Sequence, residues 1–347
     1  MVEKNKMISI ILPNLNHRQF LKERIESIQN QTFEDWECIV IDGFSDDGSW
    51  DFFLETAKND ARFKIFQEPR KGVYDAWNKG IERAAGEFIY IATSDDTMSP
   101  IFLEKMLAAL LQHPECNLAH CCLTIIDERK TVNKIDWNFL NPALYFKDLM
   151  KISHIRQKPH DAILYSCLSS VYVSITQLLI RKKLFNEIGL FLTQYGSTAD
   201  FEWCMRAAFF SDTIHVPEYL ASWRLHAQQA TQQNFLKTTE HKKMLIFFVK
   251  HAFKKFKNKN KNSNLKIKKR DLLFIYNYEL FLLLLKEKKG KIKKALFLLS
   301  WFFKNSQIVI HFLKNKNKTT FNHKDELEFA EKLNKKYQLK NLIKIVQ

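Results

Sequence analysis

The sequence predicts an α/β fold, in which a mostly parallel sheet carries helices on both faces. The first observation is that four short apolar runs of strand type alternate with segments of helical spacing in the first hundred residues. Such alternation is typical of parallel strands joined by crossover helices. The second observation is that two of these strands end directly on carboxylates, at Asp42 and at Asp95 with Asp96. In open α/β sheets, ligands bind at this carboxyl edge.

The elements can be placed in chain order from composition and periodicity. The strand runs are rich in β-branched and aromatic residues, whereas the helical segments carry apolar residues three or four positions apart. We expect strands over residues 7–12, 36–41, 63–66, 87–92, 118–126 and 171–181, with a last strand ending at 223–226. We expect helices over residues 17–30, 50–58, 72–85, 101–111, 183–188 and 200–210. Residues 127–170 show no regular pattern, and their aromatic side chains could line an acceptor site or pack a flap.

The charge distribution divides the chain into two parts. Residues 1–237 hold 26 Lys and Arg against 30 Asp and Glu, whereas residues 238–347 hold 28 against 8. We therefore expect an α/β domain over 1–237 and a basic helical region over 238–347. Its helices are predicted over 271–286, 295–313 and 324–345. Two interpretations stay open, namely a helical appendage with a solvated basic face, or an amphipathic surface that lies on an anionic membrane.

Composition excludes several classes of protein. The six cysteines form no Cys-x-x-Cys pair, which favours buried free thiols in a reducing compartment. No run approaches about 18 uninterrupted apolar residues, so we expect neither a spanning helix nor, at the polar N-terminus, a signal peptide. Neither GxGxxG nor GxxxxGK[ST] occurs, which argues against a dinucleotide or P-loop site. Bound phosphates would therefore need a metal ion and basic side chains.

The acidic residues at strand and helix ends allow two interpretations each. Adjacent carboxylates such as Asp95 and Asp96 repel each other, and a divalent cation carrying phosphates would compensate that charge. The simpler alternative is a helix cap before Pro100. Asp200 is either another helix cap or a general base, and His226 is either structural or a metal ligand.

Five segments within about a hundred residues occur in an order typical of one enzyme family. They are residues 8–14, 25–33, 39–48, 71–80 and 94–96, and further matches follow at 188–191, 199–202 and 223–226. Each segment is a weak signal by itself, but the ordered set is specific. Through it, residues 7–235 resemble the inverting family 2 glycosyltransferases, which use nucleotide sugars. The resemblance implies the GT-A-type α/β fold, a mostly parallel Rossmann-like sheet flanked by helices, and leaves the C-terminal α-helical extension outside it.

The resemblance implies a role for each matching residue. Those expected to bind the nucleotide are Pro13, Asn14, Asp42, Lys71 (or Arg70 beside it), Asp75 and Asp95. Asp42 would accept a hydrogen bond from the base, Asp96 and His226 would hold Mn²⁺ or Mg²⁺, and Asp200 would be the catalytic base. Two positions depart from the family pattern. Ala199 stands where Glu is frequent, and Phe44 stands where a small residue is usual and would narrow the nucleotide pocket.

These roles together predict an inverting glycosyltransferase. It would move a sugar from a nucleotide-diphosphate sugar, UDP-linked, to a hydroxyl of a glycan or lipid-linked acceptor in bacterial surface polysaccharide synthesis. We expect a cytoplasmic enzyme that contacts the inner face of the cytoplasmic membrane through its basic region and binds no nucleic acid. Two alternatives remain. A sugar nucleotidyltransferase would need a Gly- and Arg-rich loop that is missing after the first strand, and a nucleic-acid-binding protein would need a reader motif that the basic region lacks.

Overall fold

One mixed sheet organises the fold, which the computed structural model describes for residues 7–127, 140–168, 170–226, 238–260, 266–315 and 322–346. The strands in these ranges are β1 (Ile8–Asn14), β2 (Trp36–Asp42), β3 (Phe63–Gln67), β4 (Phe88–Ile91), β5 (Thr97–Met98), β6 (Cys116–Ile126), β7 (His154–Arg156), β8 (Leu178–Arg181), β9 (Asp212–Arg224) and β10 (Ile343–Ile345). The helices are α1 (Arg18–Gln29), α2 (Ser49–Asn59), α3 (Val73–Arg83), α4 (Phe102–Gln112), α5 (Asn141–Phe146), α6 (His160–Tyr165), α7 (Lys182–Ile188), α8 (Ala199–Phe210), α9 (Thr239–Lys259), α10 (Lys269–Leu272), α11 (Phe274–Lys286), α12 (Lys291–Lys314) and α13 (His323–Tyr337).

The strand order is β10-β7-β9-β6-β8-β4-β1-β2-β3, and β5 pairs with β9. In the half formed by β4, β1, β2 and β3 all neighbours are parallel, as their alternation with helices predicts. The other half is mixed, because β8 runs antiparallel to both β4 and β6, while β6 and β9 are parallel. The predicted α/β class with flanking helices and a helical C-terminal region is therefore confirmed, and strict parallelism is confined to the first half.

Strand register and one close helix contact align the edge at which the parallel strands end. Asn14 at the end of β1 lies opposite Asp42 at the end of β2. Helix α3 approaches β1 closely because Gly80 has no side chain, since a Cβ there would lie 2.3 Å from Cγ2 of Ile11. The short distance sets the first turn of α3 beside the ends of β1 and β2. Side chains from three separate segments therefore meet at one edge.

Two predicted elements are wrong in extent. The strand expected over 171–181 is only β8, because residues 175–177 form a 3₁₀ turn capped by Ser174. The side-chain carbonyl of Gln177 accepts the backbone N–H groups of Val173 and Ser174, so these groups need no neighbouring strand. The helix expected over 324–345 ends at Tyr337, because Gln338 adopts a left-handed conformation with φ of 51°.

The residues after this helix connect the C-terminal region to the sheet. β10 pairs antiparallel with β7, which lies in the stretch that had no regular sequence pattern. That stretch also contains α5 and α6, and its residues 128–139 lie outside the described ranges. The expected domain boundary at residue 237 likewise falls beside residues outside the description. The two parts of the chain nevertheless share one sheet.

Helix α12 differs from the expectation that no helix could span a membrane. It is the one helix in the described ranges that is long and apolar enough to do so. Its most apolar 18-residue stretch has a mean hydropathy of 1.3, and 11% of that stretch is buried. The sequence of α12 contains no long uninterrupted apolar run, because Ser300, Lys304 and Asn305 interrupt its apolar residues. The backbone of Asn305 is not helical, so the helix is kinked there. Length and composition alone do not distinguish a span from an interfacial helix.

Candidate active site

A cavity of about 430 Å³ opens at the carboxyl edge of β1, β2 and β4. Eight of the nine residues expected to form the site line it, namely Pro13, Asn14, Lys71, Asp75, Asp95, Asp96, Asp200 and His226. They come from the ends of β1 and β4, the start of α3, the first turn of α8 and the segment after β9. The fold thus brings together residues that are more than 200 positions apart in the chain.

Asp42 is the ninth expected residue, and it lies behind the cavity wall. Its side chain is fully buried. One carboxylate oxygen accepts hydrogen bonds from Nδ2 of Asn14 at 2.8 Å and from the hydroxyl of Ser45 at 2.6 Å. The other accepts the backbone N–H of Ser45 at 2.9 Å. In this arrangement Asp42 orients Asn14, and Asn14 together with Gly43 faces the cavity.

The orientation of Asn14 leaves an acceptor atom ready for a ligand. Because Nδ2 donates to Asp42, Oδ1 points the other way and is buried without a hydrogen-bond partner among the described residues. A buried carbonyl oxygen without a donor costs about 1–3 kcal/mol. A ligand with an N–H group in this position would remove that cost.

Asp95 and Asp96 have different surroundings. The carboxylate of Asp96 is buried and accepts the backbone N–H of Arg224 at 2.8 Å and the hydroxyl of Thr93 at 2.6 Å. Burial, and next the negative charge of Asp95, raise the pKa of Asp96 to about 7. Burial alone would also raise the pKa of Asp95, but the hydrogen bond from Nε2 of His226 at 2.9 Å helps to hold it below its usual value. Neither residue caps α4, whose N-terminal cap position is Ile101.

The chemistry of this group fits a divalent cation. Carboxylate oxygens are the ligands that suit Mn²⁺ and Mg²⁺. A cation would also relieve the repulsion that raises the pKa of Asp96. Among the described residues no cluster of three or more His, Cys, Asp or Glu side chains has the spacing of a preformed metal site. Asp95, Asp96 and His226 would therefore provide only a partial set of ligands for such a cation.

His17 is a residue of this site that sequence reasoning missed. Its Nδ1 lies 2.5 Å from the hydroxyl of Ser94, and its ring centre lies 6.2 Å from that of His226. Burial lowers the pKa of His17 despite the nearby charge of Asp95, so the imidazole is neutral at physiological pH. Its position just after β1, at the same edge as Asn14, was the available signal.

Two basic residues at positions 70 and 71 have different roles. The guanidinium of Arg70 donates to the carbonyls of Gly43 at 2.7 Å and Phe44 at 2.6 Å, and so ties the loop after β2 to the loop before α3. Lys71 is exposed at the cavity wall. The expected narrowing by Phe44 is wrong, because its ring is 51% exposed and does not line the cavity. Its φ of 57° explains why a glycine suits this position better.

Asp200 lies in the first turn of α8 and also lines the cavity. The cap position of α8 is Thr198, so the alternative of Asp200 as the cap is wrong. Burial raises the pKa of Asp200, while hydrogen bonds from the Phe201 N–H at 2.7 Å and from the Tyr74 side chain oppose that shift. Burial, and next the charge of Asp200, raise the pKa of Tyr74, which therefore stays a neutral donor. A carboxylate with a raised pKa beside a ligand cavity can act as a general base.

The sequence comparisons agree with this architecture. The family model described as "Glycosyl transferase family 2" matches residues 9–187, more than half of the chain. The chain belongs to glycosyltransferase family 2. The match ends before Asp200 and His226.

Two relatives with known names illustrate the extent of the similarity. The chain is 32% identical over 126 residues to the putative glycosyltransferase EpsH of Bacillus subtilis, which covers 36% of this chain and 37% of that protein. It is 30% identical over 182 residues to the GalNAc(5)-diNAcBac-PP-undecaprenol beta-1,3-glucosyltransferase of Campylobacter jejuni, covering 52% of this chain and 55% of that protein. The chain thus spans about half or less of the length of these relatives.

Two solved structures share the fold over almost the whole chain. The S. aureus TarS fragment 1–349 in complex with UDP has a TM-score of 0.53 at 16% identity, covering 95% of this chain and 92% of that one. The mannosyltransferase PcManGT of Pyrobaculum calidifontis, in complex with GDP-Man and Mn²⁺, has a TM-score of 0.53 at 13% identity, covering 97% and 88%. At these identities the likeness establishes the GT-A fold alone.

Proposed function

We propose that this chain is an inverting glycosyltransferase that moves a sugar from a nucleotide-diphosphate sugar to a hydroxyl acceptor. The observation that carries the proposal is that Asn14, the Asp95–Asp96 pair and Asp200 line one cavity. Asn14 and the carboxylate pair are suited to a nucleotide with its diphosphate and metal ion, and Asp200 is suited to act as the base for an acceptor hydroxyl. The UDP bound to the TarS fragment supports a UDP-linked donor.

The nucleotide would be bound by residues from the first half of the chain. The one N–H group of the base in a uridine nucleotide, at N3, matches the buried Oδ1 of Asn14, which Asp42 orients from behind. Lys71 places positive charge at the cavity wall, and Pro13, Asp75 and Asp95 complete the contacts to the nucleotide. The position of these residues in the cavity lining supports the assignments.

Asp96 and His226, with Asp95 beside them, are the residues that would hold Mn²⁺ or Mg²⁺. The ion, when bound, neutralises charge on the departing nucleoside diphosphate. The Mn²⁺ in the PcManGT complex supports a metal-dependent reaction. Without an ion, the adjacent carboxylates at this end would repel the phosphates.

The chemical step proposed here is one displacement. The carboxylate of Asp200 accepts the proton of the acceptor hydroxyl as its oxygen attacks the anomeric carbon from the face opposite the leaving group. The Tyr74 hydroxyl donates a hydrogen bond that holds the carboxylate in place and favours its charged form. A single attack inverts the configuration at the anomeric carbon, so no enzyme nucleophile is required.

The names of relatives and the surface of α12 support a proposal for the acceptor class and the location of the enzyme. The Campylobacter protein's name describes a glucosyltransferase acting on an undecaprenol-linked glycan, which supports a glycan or lipid-linked acceptor in bacterial surface polysaccharide synthesis. Helix α12 exposes an apolar stripe, in which Ile292, Leu296, Leu299 and Phe303 follow i+3 and i+4 spacing before the kink at Asn305, and Ile310 and Leu313 follow after it. Lysines at 291, 293 and 294 adjoin this stripe. We therefore place a cytoplasmic enzyme on the inner, anionic face of the membrane.

A donor screen tests the proposed function directly. The chain is incubated with Mn²⁺ and each of several UDP-, GDP- and dTDP-sugars, and thermal shift together with release of nucleoside diphosphate is measured. We expect one UDP-sugar to raise the melting temperature and to be turned over, with loss of both effects in EDTA. Release of pyrophosphate from a nucleoside triphosphate and a sugar phosphate would instead identify a nucleotidyltransferase. Salt-sensitive binding of nucleic acid without any turnover would identify a nucleic-acid-binding protein.

A further inference from the structure

A row of three buried histidines crosses the sheet outside the candidate active site. His120 of β6 lies opposite His215 of β9, which in turn lies opposite His154 of β7. On the other side of β7, His154 lies opposite Ile345 of β10, the strand that follows the C-terminal helices. Each of the three histidines is at most 1% exposed. The row therefore spans the strands through which the C-terminal region joins the sheet.

Hydrogen bonds fix the first two rings of the row as neutral imidazoles. Nε2 of His215 donates to the carbonyl of Met150 at 3.0 Å, so Nδ1 of this ring is the acceptor. It accepts from Nδ1 of His120 at 3.1 Å. Nε2 of His120 then accepts from the amide nitrogen of Gln177 at 3.4 Å. A proton added to either ring would place two donors face to face and break one of these bonds.

The third ring is fixed in the same way. Nδ1 of His154 donates to the carbonyl of Ile152 at 2.9 Å, and Nε2 accepts from Nη1 of Arg156 at 3.1 Å, since a guanidinium can only donate. The charge of Arg156 is compensated by the carboxylate of Asp161, whose two oxygens accept its Nε at 2.8 and 3.0 Å. The positive and negative charges are thus balanced while the imidazoles are neutral.

The other titratable groups around the row provide no second negative charge. Nδ1 of His160 donates to Asp161 at 2.8 Å, and the hydroxyl of Tyr172 donates to the same carboxylate at 2.9 Å. Burial raises the pKa of the Tyr172 phenol and that of the Cys122 thiol, the latter to about 12, so both are neutral. Lys344 of β10 is exposed and belongs to the other face of the sheet. A proton taken up by the row would therefore stay uncompensated.

This environment opposes protonation of all three rings. Burial, and next the charge of Arg156, lower the pKa of His120, His154 and His215, that of His154 to about 3. A ring released to water would return to the ordinary pKa of 6.5. The closed state therefore has its full stability above pH 6.5 and loses it as the pH falls below that value. Asp161 also has a lowered pKa, but its contribution is lost only near pH 3.8 and below.

Gln177 connects the row to the wall of the candidate active site. Its amide nitrogen, which faces His120, also donates to the carbonyl of Cys121 at 2.7 Å. Its side-chain carbonyl accepts the backbone N–H groups of Val173 and Ser174. Val173 and Ser174 line the cavity at the carboxyl edge of the sheet. The packing around the row thus also holds part of the cavity wall.

We propose that the histidine row is a pH-sensitive latch, which holds β7 and β10 on the sheet at neutral pH and releases them in mild acid. A ring that takes up a proton must leave its present partner and reach water, and this requires β7 to separate from β9. The wall at Val173 and Ser174 loosens in the same step, because its anchor Gln177 packs against the row. Acidification therefore weakens the C-terminal connection and the cavity wall together.

Hydrogen exchange followed by mass spectrometry on the full chain tests the latch. The peptides of interest cover β7, β10 and residues 173–177, and exchange rates are corrected for their intrinsic pH dependence. Three rings that are protonated only in the open state should raise the opening constant about 160-fold between pH 6.5 and pH 5.5. Return to pH 7.5 should restore protection, which distinguishes the latch from irreversible denaturation.

His120→Gln isolates the contribution of one ring. The amide keeps one donor and one acceptor but takes up no proton, so the same pH change should now raise the opening constant only about 30-fold. The matched control is His323→Gln at the start of α13, where the side chain is 83% exposed and lies outside the row. This variant should show the wild-type pH dependence.

The wild-type chain alone can overturn the latch, whether or not His120→Gln folds. A rise of less than about tenfold in the opening constant of β7 and β10 between pH 6.5 and pH 5.5 would do so. An equal rise in the wild type and in a folded His120→Gln variant would also contradict it. The measurement uses no nucleotide sugar, so its result is independent of the proposed transferase activity.

Discussion

The two parts of this chain differ in how their function is encoded. Residues 1–237 are slightly acidic and place their site side chains at strand and helix ends, where backbone geometry fixes them. Residues 238–347 are strongly basic and contribute a cavity wall together with an exposed apolar stripe on α12. In the proposed function, the first part performs chemistry on a nucleotide sugar and the second part places the enzyme on a membrane. Variants in the first part should therefore change turnover, and variants in the second should change membrane binding.

The largest expected effect is that of Asp200→Asn. The amide cannot accept the proton of the acceptor, so transfer should fall about 10²- to 10⁴-fold while UDP affinity stays unchanged. Initial rates and calorimetric titration with UDP measure the two quantities. Asp51→Asn, an exposed change in the first turn of α2, is the matched control. Transfer at nearly the wild-type rate in Asp200→Asn would remove this residue from the mechanism.

The next largest effect is expected from Asp96→Ala. Loss of this carboxylate should lower the affinity for UDP about 10- to 100-fold when Mn²⁺ is present and should change it little in EDTA. The comparison of titrations with and without metal separates a role in metal binding from a loss of packing, because Asp96 also accepts the backbone N–H of Arg224. An equal loss of affinity in both conditions would mean that Asp96 is structural only.

A smaller effect tests the second part of the chain. Phe303→Glu places a charge on the most exposed apolar side chain of α12 and should weaken binding to anionic phosphatidylglycerol vesicles about tenfold or more. Co-sedimentation with anionic and neutral vesicles measures it, and turnover of a water-soluble acceptor should not change. Lys151→Gln, on an exposed segment after α5, changes the net charge by the same −1 and is the control for altered surface charge. Binding of the Phe303→Glu variant equal to that of the wild type would argue against α12 as the membrane contact.

The smallest effect concerns the pH dependence of turnover. Asp200 must be ionised to accept a proton, and burial raises its pKa, so the rate should fall as the pH drops through that raised value. The hydrogen bond from Tyr74 favours the charged form, and Tyr74→Phe should therefore move the acidic limb of the rate profile to higher pH. A rate profile for kcat between pH 5 and 9 shows this directly. A limb that stays in place would mean that Tyr74 has only a packing role.

Most of the first part could be predicted from sequence because local patterns encode it. Strand runs followed by Asn14, Asp42 and Asp95 predict a shared edge, since parallel strands end on the same side of a sheet. The indirect position of Asp42 could not be predicted, because it depends on the hydrogen bonds that Asn14 and Ser45 make across the β1–β2 register.

The second part was less predictable because its function depends on long-range packing. Residues of α8 line a cavity together with residues of α9, α11 and α13, which begin about 40 to 125 residues later. No local pattern in those three helices predicts that they lie beside α8. The same is true of Tyr74, whose contact with Asp200 joins α3 to α8. The sequence pattern predicts helix over the residues of β10. They form a strand instead, because their pairing with β7 overrides the local helix propensity.

The configuration of the first sugar released tests the central claim most directly. Donor hydrolysis with Mn²⁺ and no acceptor uses water in place of the acceptor hydroxyl, and proton NMR at early times detects the anomer formed before mutarotation. From an α-linked UDP-sugar we predict the β-anomer, and about 10²- to 10⁴-fold slower release in Asp200→Asn. Initial appearance of the α-anomer would contradict a single inverting displacement at this site.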